Sequence, residues 1–400
     1  MNYNYGNYSM GGCGNFGPGG YGNAMGGYAG GMGGYGNGMG GYSNGMGGYA
    51  NGVVQSQYCS PAMGTSTFGA SQYAVAPASP VAYLFGTPSL KPCMNTNPMA
   101  DANALREAMR GFGCDKTAIM QILCTRTNFQ RQQIRASFKQ MYGKDLIKEL
   151  KSELSWDFED LMVALMQSPH EYDATELYKS MEGLGTRENV LIEIMCSRSN
   201  YEINQIKAYY RTMFKTELEK DIVGDTSGYF KNFLVALCTG TRDESGYVDY
   251  LKAQQAAAML YRAGEGRLGT DESAFLGILC SQNFAQLKTI FNEYHRLTGH
   301  TMAYAIEAEF SGDIKDGLLA LYSIIMNRPG FFAIQFENSM KGLGTRDRDL
   351  IRLAVTRCEI DMVEIRNEYF RMYGRPLQQR IADDTSGKYK DALLMLVNGN

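Results

Sequence analysis

No Lys, Arg, Asp or Glu precedes Lys91 in this chain of 400 residues. The net charge of -3 therefore belongs wholly to the part that follows. Its mild acidity argues against a basic nucleic-acid surface and against a polybasic membrane anchor, and attraction to an anionic surface would need a cation in between. Histidine is scarce: His170, His295 and His300 share no regular position, and no nucleophile is set beside a base, so the chain is not expected to be an enzyme. Tryptophan occurs once, as Trp156. CxxC spacing is absent from the nine scattered cysteines, an odd number, and the expectation is a reduced intracellular chain. No uninterrupted apolar run approaches membrane-spanning length, and the N-terminus has neither a basic n-region nor an apolar h-region. A soluble or peripheral protein is expected.

Glycine, tyrosine, asparagine and methionine make up most of the chain from Met1 to about Gly52. Tyr21, Tyr28, Tyr35, Tyr42 and Tyr49 recur every seven residues, with Met25, Met32, Met39 and Met46 in phase. Seven is a coiled-coil period, but the intervening glycines oppose any helix through their backbone entropy. A disordered tail is expected, acting either as a set of interchangeable tyrosine contacts that self-associates or recruits a partner, or as a solubilising spacer. Ala, Ser and Pro from Val53 to Pro98 give a stiffer linker, so residues 1–97 are assigned to tail and linker.

After Pro98 the pattern becomes helical. Ala118, Ile119, Ile122 and Leu123 share a face at spacings of three and four, as do Phe158, Leu161, Met162, Leu165 and Met166. Gly113, Gly185, Gly269 and Gly344 stand 72, 84 and 75 residues apart and mark four copies of one all-helical unit. Arg126, Arg198 and Arg357 keep phase 13 residues after their own glycine, where the third copy has Gln282. The copies are assigned to residues 98–168, 169–240, 241–328 (with extra length at its start) and 329–400.

Each copy carries a Gly-x-Gly-Thr-like turn and, after 38 intervening residues, a carboxylate. The pairings are Gly111 to Cys114 with Glu153, Gly183 to Thr186 with Asp225, Leu268 to Thr270 with Glu309, and Gly342 to Thr345 with Asp384. A glycine turn offers carbonyls that no side chain covers, and a distant acid closes on it only if the chain folds back, which together suit a hard cation such as Ca2+. A single copy is better explained by capping: the threonine as N-cap with Glu188, Glu272 or Asp347 in the first turn, and Asp225 or Asp384 capping the next helix. Four copies with one gap favour the metal reading, because capping does not require the two elements to keep their separation.

MEGLGT at Met181 to Thr186, MKGLGT at Met340 to Thr345, GTDES at Gly269 to Ser273 and GDTSGYF at Gly224 to Phe230 resemble the annexin family, over residues 98–400. The resemblance implies an all-α fold of four five-helix repeats in a curved disc, behind the low-complexity tail. It implies calcium-dependent binding to anionic phospholipid membranes by a cytoplasmic protein that becomes peripheral when calcium rises, monomeric in solution, with oligomers on the membrane left open. Carried over by motif, the ligands are the carbonyls of Met109, Gly111 and Gly113 with Glu153; Met181, Gly183 and Gly185 with Asp225; Gly264, Arg267 and Gly269 with Glu309; and Met340, Gly342 and Gly344 with Asp384. In the first copy Cys114 replaces the threonine and Lys116 stands where the others have an acid. Trp156 fills the slot of Gly228, Gly312 and Gly387, as an interfacial anchor or as a residue packed over the helix start. Asp173, Glu176, Glu193, Arg198 and Arg352 match the hydrophilic centre of annexins, read as a polar network or as an ion path. A condensate-forming protein driven by the tail, or a cation channel, are the alternative functions.

Overall fold

Nineteen helices and no strand occupy the described residues, which are 86–111 and 113–400 of a computed structural model. The glycine- and tyrosine-rich tail, Cys13 and Cys59 lie outside them. The first copy comprises α1 (Pro98–Ala108), α2 (Lys116–Leu123), α3 (Asn128–Tyr142), α4 (Leu146–Glu153) and α5 (Trp156–Met166). The second comprises α6 (Pro169–Met181), α7 (Glu188–Ser197), α8 (Asn200–Phe214), α9 (Leu218–Asp225) and α10 (Gly228–Cys238). The third has α11 (Tyr250–Ala263), α12 (Glu272–Ser281), α13 (Phe284–Thr298), α14 (Met302–Glu309) and the first part of α15 (Gly312–Met340), and the fourth has the rest of α15 with α16 (Asp347–Arg357), α17 (Met362–Tyr373), α18 (Leu377–Asp384) and α19 (Gly387–Asn398).

Local chemistry sets these boundaries. Thr127 and Gln130 form a capping box at the start of α3, as do Ser168 and Glu171 before α6 and Ser199 and Glu202 before α8. Gly143, Gly299 and Gly374 end the third helix of three copies in the left-handed conformation. In α15 the helix breaks at Asn327, two residues before Pro329, and the Asn327 amide oxygen accepts from the Gly330 N–H at 3.0 Å, capping the second part. By length and composition α15 would be apolar enough to cross a membrane, which the charge-interrupted sequence did not suggest; its apolar character instead serves the interior, where Leu318, Leu321, Phe332 and Phe336 are buried.

Apolar faces read from the sequence point inward: Ile119, Leu123, Phe158, Leu161 and Leu165 are all buried. The first copy packs on the fourth through α5 against α16 and α19, and the second on the third through α10 against α12 and α15. Residues 86–91, within the segment assigned to tail and linker, are also packed. The Ser89 hydroxyl donates to the Leu396 carbonyl at 2.6 Å, the Leu90 N–H donates to the Cys358 carbonyl at 2.9 Å, and the Leu90 side chain is buried. The seven described cysteines are free thiols.

Candidate functional site

Each distal acid is the last residue of the fourth helix of its copy: Glu153 of α4, Asp225 of α9, Glu309 of α14 and Asp384 of α18. A helix C-terminus already carries about half a negative charge on its unpaired carbonyls, so a carboxylate there is unfavourable by some 0.3–1 kcal/mol unless a cation answers it. The alternative in which Asp225 and Asp384 cap the following helix does not hold. The N-cap positions of α10 and α19 are Ser227 and Ser386, two residues further on.

The turns join the first helix of each copy to the second. In all four, one backbone hydrogen bond closes the loop: Asp115 N–H to the Ala108 carbonyl at 2.8 Å, Arg187 to Ser180 at 2.9 Å, Asp271 to Ala263 at 2.7 Å and Arg346 to Ser339 at 2.7 Å. Those donors are the N-cap residues of α2, α7, α12 and α16, so the threonines are not the caps. Their hydroxyls turn instead to the acid 39 positions on. Thr186 Oγ1 donates to Asp225 Oδ2 at 2.6 Å, Thr345 Oγ1 to Asp384 Oδ2 at 2.6 Å, and Thr270 Oγ1 to Glu309 Oε2. The turn and its distant carboxylate are thereby brought together in three copies by one side-chain contact.

The first copy lacks that contact. The Cys114 thiol donates to the Glu153 backbone carbonyl at 3.4 Å, and the Glu153 side chain is exposed where Asp225, Glu309 and Asp384 are half-buried. Burial pushes the Cys114 thiol above its ordinary pKa, Lys116 opposing and Glu153 reinforcing, so a protonated thiol stands in for the hydroxyl.

Gly111, Gly183 and Gly342 have φ of 104°, 99° and 108°, and Gly113, Gly185, Gly269 and Gly344 lie between 78° and 85°, a region that admits glycine and little else. A Cβ built on any of these seven would meet nothing within 4 Å, so backbone conformation and not crowding requires the glycines. Arg267 departs from the set. It has no positive φ although it was matched to Gly183 by motif, because the third loop is one residue longer: its closing bond spans eight residues instead of seven. The Gly264 carbonyl there accepts from the Arg267 N–H at 3.0 Å. Met109 caps α1, while Met181 and Met340 end α6 and α15 with buried side chains.

Beside these turns the surface is apolar where water would favour polarity. Leu184, Leu268 and Leu343, each between two turn residues, are fully exposed; Phe112 of the first turn lies outside the described residues. Trp156 is 86% exposed at φ 61°, the conformation that Gly228, Gly312 and Gly387 adopt at 57°, 64° and 61°. It is not packed over the helix start.

Among the described residues no three His, Cys, Asp or Glu side chains gather as a metal cluster. A metal held here would draw on one carboxylate and backbone oxygens, an all-oxygen donor set that suits a hard divalent cation and not zinc or copper. The open glycine backbone and the acid at a helix end fit that donor set.

The polar centre resolves into two ion-pair groups. Arg198 pairs with Asp173 at 2.6 and 2.9 Å. Arg352 donates to Glu193 at 3.0 and 2.8 Å and to Asp349 at 2.9 Å, with Glu176 at 3.7 Å. Asp349, three residues before Arg352 on α16, was missed in the sequence, although that spacing marks a helical ion pair.

A family model described as Annexin matches residues 100–165, 172–237, 255–321 and 331–396. Human annexin A11 is 48% identical over 326 residues, 82% of this chain and 65% of that protein, and human annexin A7 is 46% identical over 325 residues, 81% of this chain and 66% of that one. The chain thus spans just under two thirds of the length of these relatives. Among solved structures, annexin III superposes with a TM-score of 0.78 at 41% identity, covering 79% of this chain and 98% of its own. A calcium-bound annexin (Sm)1 gives 0.72 at 32% identity, covering 78% and 93%. Four matched repeats, on a fold in which three of the four turns meet their own acid, place the chain in the annexin family.

Proposed function

We propose that this chain binds anionic phospholipid membranes when calcium rises, through the four turns and the acids at the ends of α4, α9, α14 and α18. The observation that carries the reading is the meeting of an open glycine turn with a helix-terminal acid in three copies, beside exposed Leu184, Leu268 and Leu343. Three carbonyls and a bidentate carboxylate give about five of the six to eight oxygens calcium takes, which leaves room for a lipid phosphate. Calcium, when bound, would supply the positive charge that a mildly acidic core lacks. By linkage, lipid would raise calcium affinity to the same degree. The exposed leucines and Trp156 would enter the headgroup region, which accepts apolar and amphipathic side chains.

Within this reading the core is cytoplasmic and non-enzymatic, tethers or organises membranes, and is monomeric in solution, and the tail recruits partners or self-associates. Cosedimentation with phosphatidylserine vesicles tests it. Pelleting is expected in micromolar to millimolar calcium and not in chelator, and equal pelleting in both would refute the switch. Changing Glu153, Asp225, Glu309 and Asp384 together to Ala should abolish the calcium-dependent fraction.

A further inference from the structure

The four sites are not equivalent in what answers their acid. On α18, Arg380 lies one helical turn before Asp384 and its side chain is only 13% exposed. Its Nη1 donates to Asp384 Oδ1 at 2.9 Å, and its Nη2 donates to the Met340 carbonyl oxygen, the one carried over by motif as a calcium ligand. The second carboxylate oxygen of Asp384 is held by Thr345 at 2.6 Å. A single guanidinium therefore spans from the distal acid to the first carbonyl of the turn. It neutralises the carboxylate at the end of α18 by the planar, forked donation for which arginine is suited.

Among the described residues no other copy has this arrangement. Four residues before Glu153, Asp225 and Glu309 stand Glu149, Asp221 and Ala305. Two of those are acids engaged elsewhere: Glu149 with Arg106 at 2.8 Å and Lys144 at 2.9 Å, and Asp221 with the Tyr210 hydroxyl at 2.8 Å. Among the described residues, Asp384 alone of the four acids is ion-paired to a basic side chain. On the far side of Arg380, Glu337 in the last turn of α15 has Oε2 3.5 Å from Arg380 Nε; it also accepts from the Tyr369 hydroxyl and faces Arg375 at 3.9 Å.

Resting on the reading that these turns hold calcium, we propose that Arg380 is a built-in competitor at the fourth site, so that this site takes a divalent cation only at higher free concentration than the sites at Asp225 and Glu309. For Asp384 and the Met340 carbonyl to turn to a metal, the guanidinium must release both. Glu337 is the acceptor that keeps it nearby once released. The sites then fill in stages, and the surface around Leu343 is recruited after those around Leu184 and Leu268.

The test is calcium titration by isothermal calorimetry on the full chain carrying E153A, D225A and E309A, so that only the fourth acid remains. Adding Arg380→Met, which keeps the volume and removes the charge, is expected to tighten the remaining site about tenfold. Arg380→Lys, which keeps charge but cannot fork, should fall between. An Arg380→Met isotherm that is unchanged or weaker overturns the proposal. Adding D384A to the same background should abolish the heat; if it does not, the site itself has been misassigned, a failure separate from that of the competitor. Should the multiple variant not fold, the otherwise wild-type chain and Arg380→Met alone are melted with and without calcium. The rise in melting temperature must then be larger in Arg380→Met, and an equal rise overturns the proposal.

Discussion

Thr186 and Asp225 stand 39 positions apart in the chain and 2.6 Å apart in space, hydroxyl to carboxylate. That bond fixes a flexible carboxylate beside the turn it must serve. Thr186→Val keeps the shape and removes the donor, and loss of one hydrogen bond to a partly exposed charged group is worth about 1 kcal/mol. Calorimetry should show one site weakened about fivefold. The reciprocal change, Cys114→Thr, should give Glu153 the bond it lacks and tighten the first site by a similar factor. If neither variant moves the isotherm, the hydroxyl does not position the acid.

Trp156 holds a backbone conformation that glycine adopts in the other three copies, with its indole in solvent. For a residue with a Cβ that conformation costs roughly 1–2 kcal/mol. Trp156→Gly is therefore expected to raise unfolding stability in urea by about 1 kcal/mol while lowering calcium-dependent pelleting with phosphatidylserine vesicles. In the native chain, Trp156 emission should shift to the blue when calcium and vesicles are added together. An unmoved spectrum would mean that the strain serves something other than the membrane.

The fourfold repeat, the helical faces and the nearness of turn to acid in three copies were legible because each recurs with a fixed spacing, and Phe158, Leu161 and Leu165 are buried as their periodicity requires. Threonine's role was not, since a Thr before a helix reads as an N-cap and only the folded chain shows its hydroxyl turning to a residue 39 positions on. The displaced backbone at Arg267 was hidden by a one-residue insertion that motif matching steps over. The packed strap at Ser89 and Leu90 carries no periodicity, being a single buried pair at a bend outside any helix.

That strap gives the next prediction. Leu90 is buried and its backbone is bonded to Cys358, so the core begins before the first helix. Leu90→Ala removes a buried side chain and should cost about 2–3 kcal/mol, the lower part of the range for such truncations, because an edge site relaxes more than a central one. A urea titration that returns wild-type stability would show the strap to be dispensable.

The Arg352 group makes a sharper demand. With Glu193, Asp349 and Glu176 all facing it in a buried centre, removal of the guanidinium strands three carboxylates. Arg352→Met should cost about 3–5 kcal/mol, and adding Glu193→Gln should recover part of that loss. Full additivity of the two changes would contradict direct coupling.

His170 sets a pH dependence on the packing of α6 against α8. Its ring lies 5.9 Å from that of Tyr201 and 6.5 Å from that of Tyr209. Burial lowers its pKa below the usual 6.5; Asp173 and Glu202 pull upward and Arg198 downward, without reversing the effect. Because the folded value is the lower one, the unfolded chain binds the proton first as pH falls. Stability is fully present above about 6.5, declines as pH drops through that value, and stops declining once the folded imidazole is protonated too. Melting curves between pH 7.5 and 5 should show this fall, and His170→Gln should flatten it. An identical pH profile in the variant would assign the dependence to other groups.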